Sequence, residues 1–450
     1  MVEVKVLSVG EPPSPEDLSR LADTFDGVIV VGKGYPSSWH TIIQAVRRAG
    51  SRWHRIVFIN SERDVYANGL SLEDIIEAYK AYFEALSEFI PVVVSDTGKT
   101  VSRRDLLKSG LGVFFVYTAL PDVKLQECSS LRDCRLCLSS CPFDAISGKP
   151  PKVSERSCLE CGLCTSACPT GQLFTPVYAP EAVKRLFRAL AQIGATRITI
   201  TCPLARTRFY SERHEGSLPV ELQCIASLRV HEFLYARQLG LTIDYYCPDD
   251  IRSDCPRRKA AEDYIAMMKE LDSIIKPVAQ TIVDASTLGA LLEPLAREED
   301  TWADLERLPL FRVDVDKDKC TLCGACANSC PTHALTLTRG DQYSLSFNHS
   351  SCIGCNTCVR VCPESALGLA RAANPRLLTS KEGFIAAQSP IARCRSCGKE
   401  LGPERMIKRL EEKLARSGAP RSVLESIWLC PECKAKASEE EFKRLLGALS

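Results

Sequence analysis

Short apolar runs alternate with segments of helical periodicity over the first hundred residues. Val2 to Val9 alternates apolar with polar side chains at the strand period of two. Gly27 to Val31 and Arg55 to Ile59 are short apolar runs of the kind a sheet buries on both faces. Ser14 is placed to cap a helix with Pro15 at its first position, and Trp39 to Arg48 and Leu72 to Phe89 carry the 3.6-residue period. Pro91 to Val94 reads as a last strand. The alternation predicts a small α/β domain with a mostly parallel sheet over residues 1–100. Gly32-Lys33-Gly34 lacks the spacing of a phosphate loop and reads as a strand-end turn. His40 and His54 have no metal-ligand spacing and read as structural residues. No function follows for this domain.

The same alternation returns over residues 177–280. Pro180 to Ile193 and Leu228 to Leu239 are helical in pattern, and a further helix runs to Leu271. Three strands, Arg197 to Thr201, Val220 to Gln223 and Leu241 to Tyr246, end at Cys202, Cys224 and Cys247, and Cys255 follows. Open α/β sheets bind ligands beyond the carboxyl ends of their strands, so these four thiols are expected to converge on one metal centre. Zinc or buried inert thiols are the alternatives to an iron–sulfur centre there. Residues 281–312 read as a helical, acidic connector.

Composition narrows the class. The chain has 450 residues, enough for three or four domains, with 45% apolar and 25% charged residues as in ordinary globular proteins. A net charge of +1 offers no electrostatic case for nucleic acid or an anionic membrane as partner. No apolar run reaches the roughly 18 residues that span a bilayer. The 24 cysteines fall in closely spaced sets, which in a long chain means metal ligation in a reducing compartment rather than disulfides.

The densest sets decide the chemistry. Cys320-x2-Cys323-x2-Cys326-x3-Cys330-Pro is followed, after 20 residues, by Cys352-x2-Cys355-x2-Cys358-x3-Cys362-Pro. Three thiolates on one tight loop address three irons of a [4Fe–4S] cube, and the fourth, held off by three residues, serves the neighbouring cube. One cluster is therefore expected on Cys320, Cys323, Cys326 and Cys362, and a second on Cys352, Cys355, Cys358 and Cys330. Cys158-x2-Cys161-x2-Cys164-x3-Cys168-Pro repeats the run in full, and Cys134-x2-Cys137-x3-Cys141-Pro precedes it without its first cysteine, Leu131 standing in that place. Cys158, Cys161, Cys164 and Cys141 make one set. For the other, either Cys128 joins Cys134, Cys137 and Cys168, or the site keeps three ligands and holds a [3Fe–4S] cluster or none. After each closing proline an aliphatic residue (Ile146, Leu173, Leu335, Leu367) is expected to cover a cluster, and Gly162, Gly324 and Gly354 to let backbone approach the sulfides. Finally, Cys394-x2-Cys397 and Cys430-x2-Cys433 flank a helix from Glu404 to Ala415, the arrangement of a four-thiolate structural zinc site, with mononuclear iron as the alternative.

These residues carry three family resemblances. Lys319 to Leu369 resembles the bacterial two-cluster ferredoxins, which implies a compact fold around two [4Fe–4S] clusters. Val220 to Asp254, through Cys224-x2-Ser227-Leu228, Cys247 and Cys255, resembles the delta (iron–sulfur) subunit of methyl-viologen-reducing hydrogenases. That resemblance implies a [2Fe–2S] cluster and heterodisulfide reductase-type partners, although the family's opening cysteine pair is reduced here to Cys202. The tail, with Cys394-Arg-Ser-Cys397-Gly, is similar to a ribbon in iron–sulfur proteins associated with formate dehydrogenase-like enzymes. Ser102-Arg103-Arg104-Asp105-Leu106-Leu107-Lys108 resembles a twin-arginine export signal, but it follows a hundred residues of apparent domain. It reads instead as a linker helix over 101–125, with Val113 to Tyr117 beside the first cluster, and the expected location is the cytoplasm.

The expected architecture is a multidomain α+β and α/β chain. It has dicluster ferredoxin modules at 126–176 and 313–372, small parallel α/β domains at 1–100 and 177–280, and a zinc ribbon at 390–440. The expected cofactors are four [4Fe–4S] clusters, one zinc ion and a fifth, [2Fe–2S] cluster at Cys202, Cys224, Cys247 and Cys255. The sequence shows no Ser/His/Asp arrangement and no nicotinamide or flavin fingerprint. The expected role is a non-catalytic electron-transfer subunit between redox partners. The alternatives are a catalytic metal centre at Cys202, Cys224, Cys247 and Cys255, or an assembly or sensing protein.

Overall fold

The computed structural model describes residues 2–66, 69–88, 93–94, 116–117, 119–123, 128, 134–212, 216–276, 282–283, 285, 287–380 and 383–437. The twin-arginine-like segment Ser102 to Lys108 lies outside them. The chain is mixed α/β and divides into two compact units, Met1–Glu299 with Leu305–Leu310, and Asp300–Asp304 with Phe311–Ser450.

In the first unit, strand Gly27–Gly32 is central, parallel to Val4–Val9 on one side and Ile56–Asn60 on the other. Its unbroken apolar run is buried at every position because helices cover both faces. Leu18, Ala22, Ile43 and Val46, from helices Pro15–Thr24 and Trp39–Arg48, pack with Val28, Val30 and Phe58. Helix Leu72–Ser87 presses Phe83 on Gly27, where a Cβ would lie 2.3 Å from that ring. Ser14 and Ser71 cap their helices by accepting from the N–H groups of Asp17 and Asp74.

The second parallel sheet has Arg197–Thr201 between Leu218–Glu221 and Thr242–Tyr245. It is fused to the first rather than separate from it. Helix Leu72–Ser87 packs along helix Pro180–Gln192. Arg206, on helix Pro203–Ser211, is buried between the sheets. It donates to the Phe58 carbonyl at 2.8 Å and pairs with Asp64 at 3.5 Å and Glu221 at 3.4 Å. Its guanidinium lies 5.0 Å from the centre of the Tyr35 ring, whose hydroxyl donates to Glu221. Removing one partner from such a buried group costs about 3–5 kcal/mol, so this seam holds the two domains in one register.

Between these domains lies a small module of two antiparallel pairs, Asp122–Val123 with Leu173–Phe174 and Ile146–Ser147 with Lys152–Val153. The second unit repeats that plan at larger scale. Phe311–Val315 pairs with Leu367–Ala373, and Leu335–Arg339 with Gln342–Phe347. The C-terminal ribbon is not a separate domain. Strand Phe384–Arg393 pairs with Gln342–Phe347 and then with Glu400–Pro403, so module and ribbon share one four-stranded antiparallel sheet.

Three expectations change. Val93–Val94 does not extend the parallel sheet but pairs antiparallel with Val116–Tyr117. In the expected linker helix, residues 101–115 lie outside the described residues, and the described remainder contains two short strands, Val116–Tyr117 and Asp122–Val123. The expected helical connector has only the five-residue helix Leu288–Leu292 among its described residues. Pro294 and Pro309 supply no backbone donor, and Glu298 to Asp300 has no apolar stripe to bury.

Candidate iron–sulfur and zinc centres

Each complete cysteine run folds as the same sequence of backbone turns. The residue two after the first cysteine is left-handed in all three: Glu160 (φ 54°), Leu322 (φ 55°) and Gly354 (φ 64°). So is the residue after the second cysteine: Gly162 (φ 77°), Gly324 (φ 81°) and Asn356 (φ 62°). Three residues beyond the fourth cysteine the turn recurs at Asp144, Gly171, His333 and Ser365. Alternating right- and left-handed residues turn successive N–H groups into a concave nest that favours anions. The amides are aimed accordingly. Glu160 N–H donates to Cys158 Sγ at 3.4 Å, Ala145 N–H to Cys141 Sγ at 3.4 Å and Ala366 N–H to Cys362 Sγ at 3.3 Å. The incomplete run departs in backbone as well as sequence: Arg135, after Cys134, has φ −129°.

One fourth cysteine lies with the first three of the other run: Cys320, Cys323, Cys326 and Cys362 line a single cavity, with Leu345 and Leu367 against it. Burial, then the charge of Cys362 and Cys323, raises the Cys320 thiol. Cys326 is pushed up to about 12 by burial. Cys358 is pushed up to about 11 by burial, then by Cys355 and Cys330. In the first module Cys161 is pushed up to about 11, by burial first, with Cys158 and Cys141 adding. Cys137 is pushed up to about 12 by burial, with Cys168, Cys134 and Cys128 adding in that order. Cys128 thus lies close enough to Cys137 for its charge to act there. Without metal these crowded thiols are neutral, and loading a cluster as thiolates releases protons.

The donor chemistry fits [4Fe–4S] clusters: four sulfurs per set, backbone amides aimed at them, and an apolar cover. Ile146 and Leu173 are buried together with Cys164, and Cys137, Cys141 and Cys168 pack against them. Leu335 and Leu367 are buried with Cys320 and Cys326, and Cys330, Cys352, Cys358 and Cys362 pack against that core. The four aliphatic covers expected after the prolines are therefore in place.

Two of the glycines also meet close neighbours from elsewhere in the chain. Side chains are carried at the left-handed positions equivalent to Gly354, by Glu160 and Leu322, so backbone strain alone does not demand glycine. A Cβ at Gly354 would lie 2.2 Å from the Phe311 ring, and one at Gly162 2.6 Å from Ser227 Cα. Gly354→Ala is expected to destabilise the second module by about 1–3 kcal/mol, the range for overpacking. Chemical denaturation of the loaded protein measures it. Phe311→Leu in the same chain should recover most of the loss, which pure backbone strain would not allow.

Cys202, Cys224, Cys247 and Cys255 line one cleft, with His40, Arg252 and Arg257. Cys202 lies at the N-terminus of helix Pro203–Ser211. Burial raises its thiol, and the N–H groups of Ala205 and Leu204 oppose that rise. Cys247 is pushed up to about 11 by burial, with Cys202 adding and Arg252 opposing.

The segment from Cys224 to Glu232 lies along the Cys158–Cys168 loop of the first module and the turn that follows it. Ser227 Oγ donates to the Cys161 carbonyl at 3.2 Å, and Ser166 Oγ to that of Leu228 at 3.2 Å. Arg229, buried and paired with Glu232, donates to the Gly171 carbonyl at 2.6 Å. From the N-terminal domain, Arg47 forms an ion pair with Glu160. The sequence reading missed Arg47, Arg229 and Arg257, since lone arginines far apart in the chain carry no spacing signal.

At the C-terminus, the sulfurs of Cys394, Cys397, Cys430 and Cys433 all lie within 4.8 Å of one another, with Cys397 to Cys430 at 3.6 Å. A tetrahedral ion with Zn–S bonds of about 2.3 Å requires an edge of about 3.8 Å. No other group of three or more such ligands among the described residues closes to this spacing. The Cys394 thiol is held down to about 6 by the N–H of Cys430, with those of Cys397 and Ser396 adding.

Comparison with known proteins agrees with this geometry over part of the chain. No curated protein matches the sequence. Residues 312–363 match the family described as 4Fe-4S dicluster domain, and residues 151–174 the family described as 4Fe-4S binding domain. No helix among the described residues is long and apolar enough to cross a membrane. With ferredoxin-type domains in both units, the chain is an iron–sulfur protein.

Proposed function

We propose that this protein is a multi-cluster electron-transfer subunit that relays single electrons within a larger oxidoreductase complex. The hydrogenase, formate dehydrogenase and heterodisulfide reductase types are the complexes its resemblances favour. The observation that carries the reading is the repeated loop: crossed cysteines, amides aimed at sulfur and an aliphatic cover, in both units. The proposed ligand sets are Cys128, Cys134, Cys137 and Cys168; Cys158, Cys161, Cys164 and Cys141; Cys320, Cys323, Cys326 and Cys362; and Cys352, Cys355, Cys358 and Cys330.

When bound, a [4Fe–4S] cluster supplies reversible one-electron chemistry. The chain's own residues set its conditions. Backbone N–H groups donate to ligand sulfurs, which stabilises the reduced, more negative state and raises the potential. Ile146, Leu173, Leu335 and Leu367 exclude water, which limits solvent access and the reorganisation that accompanies each electron. Cys202, Cys224, Cys247 and Cys255 are proposed to hold a fifth, [2Fe–2S] centre, their spacing being wider than the tetrahedral set at the C-terminus. Cys394, Cys397, Cys430 and Cys433 are proposed to hold structural zinc, since four thiolates leave no open position. A second reading, catalysis at the fifth site, is favoured by the cleft beside its thiols.

Anaerobic purification followed by iron, acid-labile sulfide and zinc analysis tests the proposal. About 18 iron with one zinc is expected; about 16 would mean four cubanes and no fifth centre, and about 15 a three-iron centre without Cys128 together with no fifth centre. Little iron with several zinc ions would overturn the relay. Stoichiometric reductant should bleach the visible absorbance reversibly, and substrate-dependent turnover by the isolated chain would favour the catalytic reading.

A further inference from the structure

Two of the cysteine sets are neighbours across the contact of the first ferredoxin module with the second α/β domain. Gly162, next to Cys161, lies against Ser227, three residues beyond Cys224. Arg257 sits where the two sets meet. Its Nε donates to the Leu159 carbonyl, inside the Cys158–Cys164 loop, at 2.5 Å. Its side chain also lines the cleft of Cys202, Cys224, Cys247 and Cys255. The Gln223 amide, with its oxygen turned inward, accepts from Arg257 at 2.8 Å and from Arg47 at 3.1 Å. Arg47 is neutralised by Glu160, whereas among the described residues the partners of Arg257 are neutral oxygens.

We propose that Arg257 is the shared cation of two adjacent redox centres and sets the reduction potential of both. One is the Cys141, Cys158, Cys161 and Cys164 centre, the other the Cys202, Cys224, Cys247 and Cys255 centre. The inference rests on the relay reading and on the fifth centre. Its physics is Coulombic. Each reduction adds one electron to a thiolate-ligated site, and a fixed positive charge nearby favours that state. Because one cation serves both centres, they respond together when it is removed, while sets elsewhere in the chain do not.

The test is a redox titration of the loaded full chain, followed by EPR, for wild type, Arg257→Leu and Arg257→Lys. Arg257→Leu is expected to make reduction at least tenfold less favourable at both centres, a fall of about 59 mV in each one-electron midpoint. The Cys320 and Cys352 centres should not move. Arg257→Lys, which keeps the charge, should recover at least half of each shift. Should the leucine variant fail to retain iron, Arg257→Gln, which keeps a donor for the Leu159 carbonyl, carries the same measurement. Unmoved midpoints, or equal shifts for Leu and Lys, would overturn the role of the charge while leaving the relay intact. A fall at the ferredoxin-module centre alone, in protein with about 16 iron and no two-iron signal, would overturn the shared role through loss of the fifth centre.

Discussion

Cys362→Ala is expected to cost the protein the centre built on Cys320, Cys323 and Cys326, and to spare the one whose loop Cys362 belongs to. In sequence Cys362 closes the run of Cys352, Cys355 and Cys358. In space it shares a cavity with Cys320, Cys323 and Cys326. Iron analysis should show a loss of about four iron, or of about one where a three-iron centre remains. The EPR signal of the Cys352 centre should persist. Cys330→Ala is the reciprocal case and should strike the Cys352 centre. If Cys362→Ala instead removes the Cys352 signal, the crossing is wrong and each run serves its own cluster.

Zinc removal is expected to unfold the end of the chain and to reach the neighbouring cluster site through charge. A structural zinc site of this kind supplies about 10–16 kcal/mol of apparent folding free energy. Cys430→Ser, or treatment with a strong chelator, should therefore open residues 394–437 to proteolysis and hydrogen exchange. Strand Phe384–Arg393 should stay paired with Gln342–Phe347, because Ala386 and Ala387 are buried in the module's own core with Leu345 and Phe347. Helix Glu404–Arg416 brings Arg409, at 3.2 Å, and Lys413 to Glu364, which lines the Cys320 cavity. Those contacts hold the Glu364 carboxyl below its usual range, Lys413 contributing most. Unfolding the ribbon leaves that carboxylate uncompensated beside Cys362, so the midpoint of the Cys320 centre should fall. A midpoint unchanged by complete zinc loss would show that the ribbon does not tune the cluster.

The centres were legible from sequence because their chemistry is local. Cysteines at fixed offsets, each run closed by a proline, declare a loop whose geometry needs few distant residues. The apolar run of Gly27 to Val31 and the pattern of Arg197 to Thr201 likewise announced strands. What sequence did not disclose is long-range. Nothing in Phe384 to Arg393 says that it will continue the sheet of the preceding module. Nothing in Arg206 says that it will be buried between two sheets with Asp64 and Glu221. The packing of Gly354 on Phe311 and of Gly162 on Ser227 was hidden because each pair is distant in sequence. The acidic run before Asp300 looked helical only because charged residues tolerate helices; it lacks an apolar face to hold one.

The loop from Cys158 to Cys164 is gripped from both directions along the chain. Arg47, made long before it, holds Glu160; Ser227 and Arg257, made after it, close over Cys161 and Leu159. Cys161 and Cys164 are buried once that grip is complete. A carrier that delivers iron and sulfide to these thiols is therefore expected to reach them more readily before residues 224–257 have folded over the loop than after, which couples filling of the site to the folding of the second α/β domain.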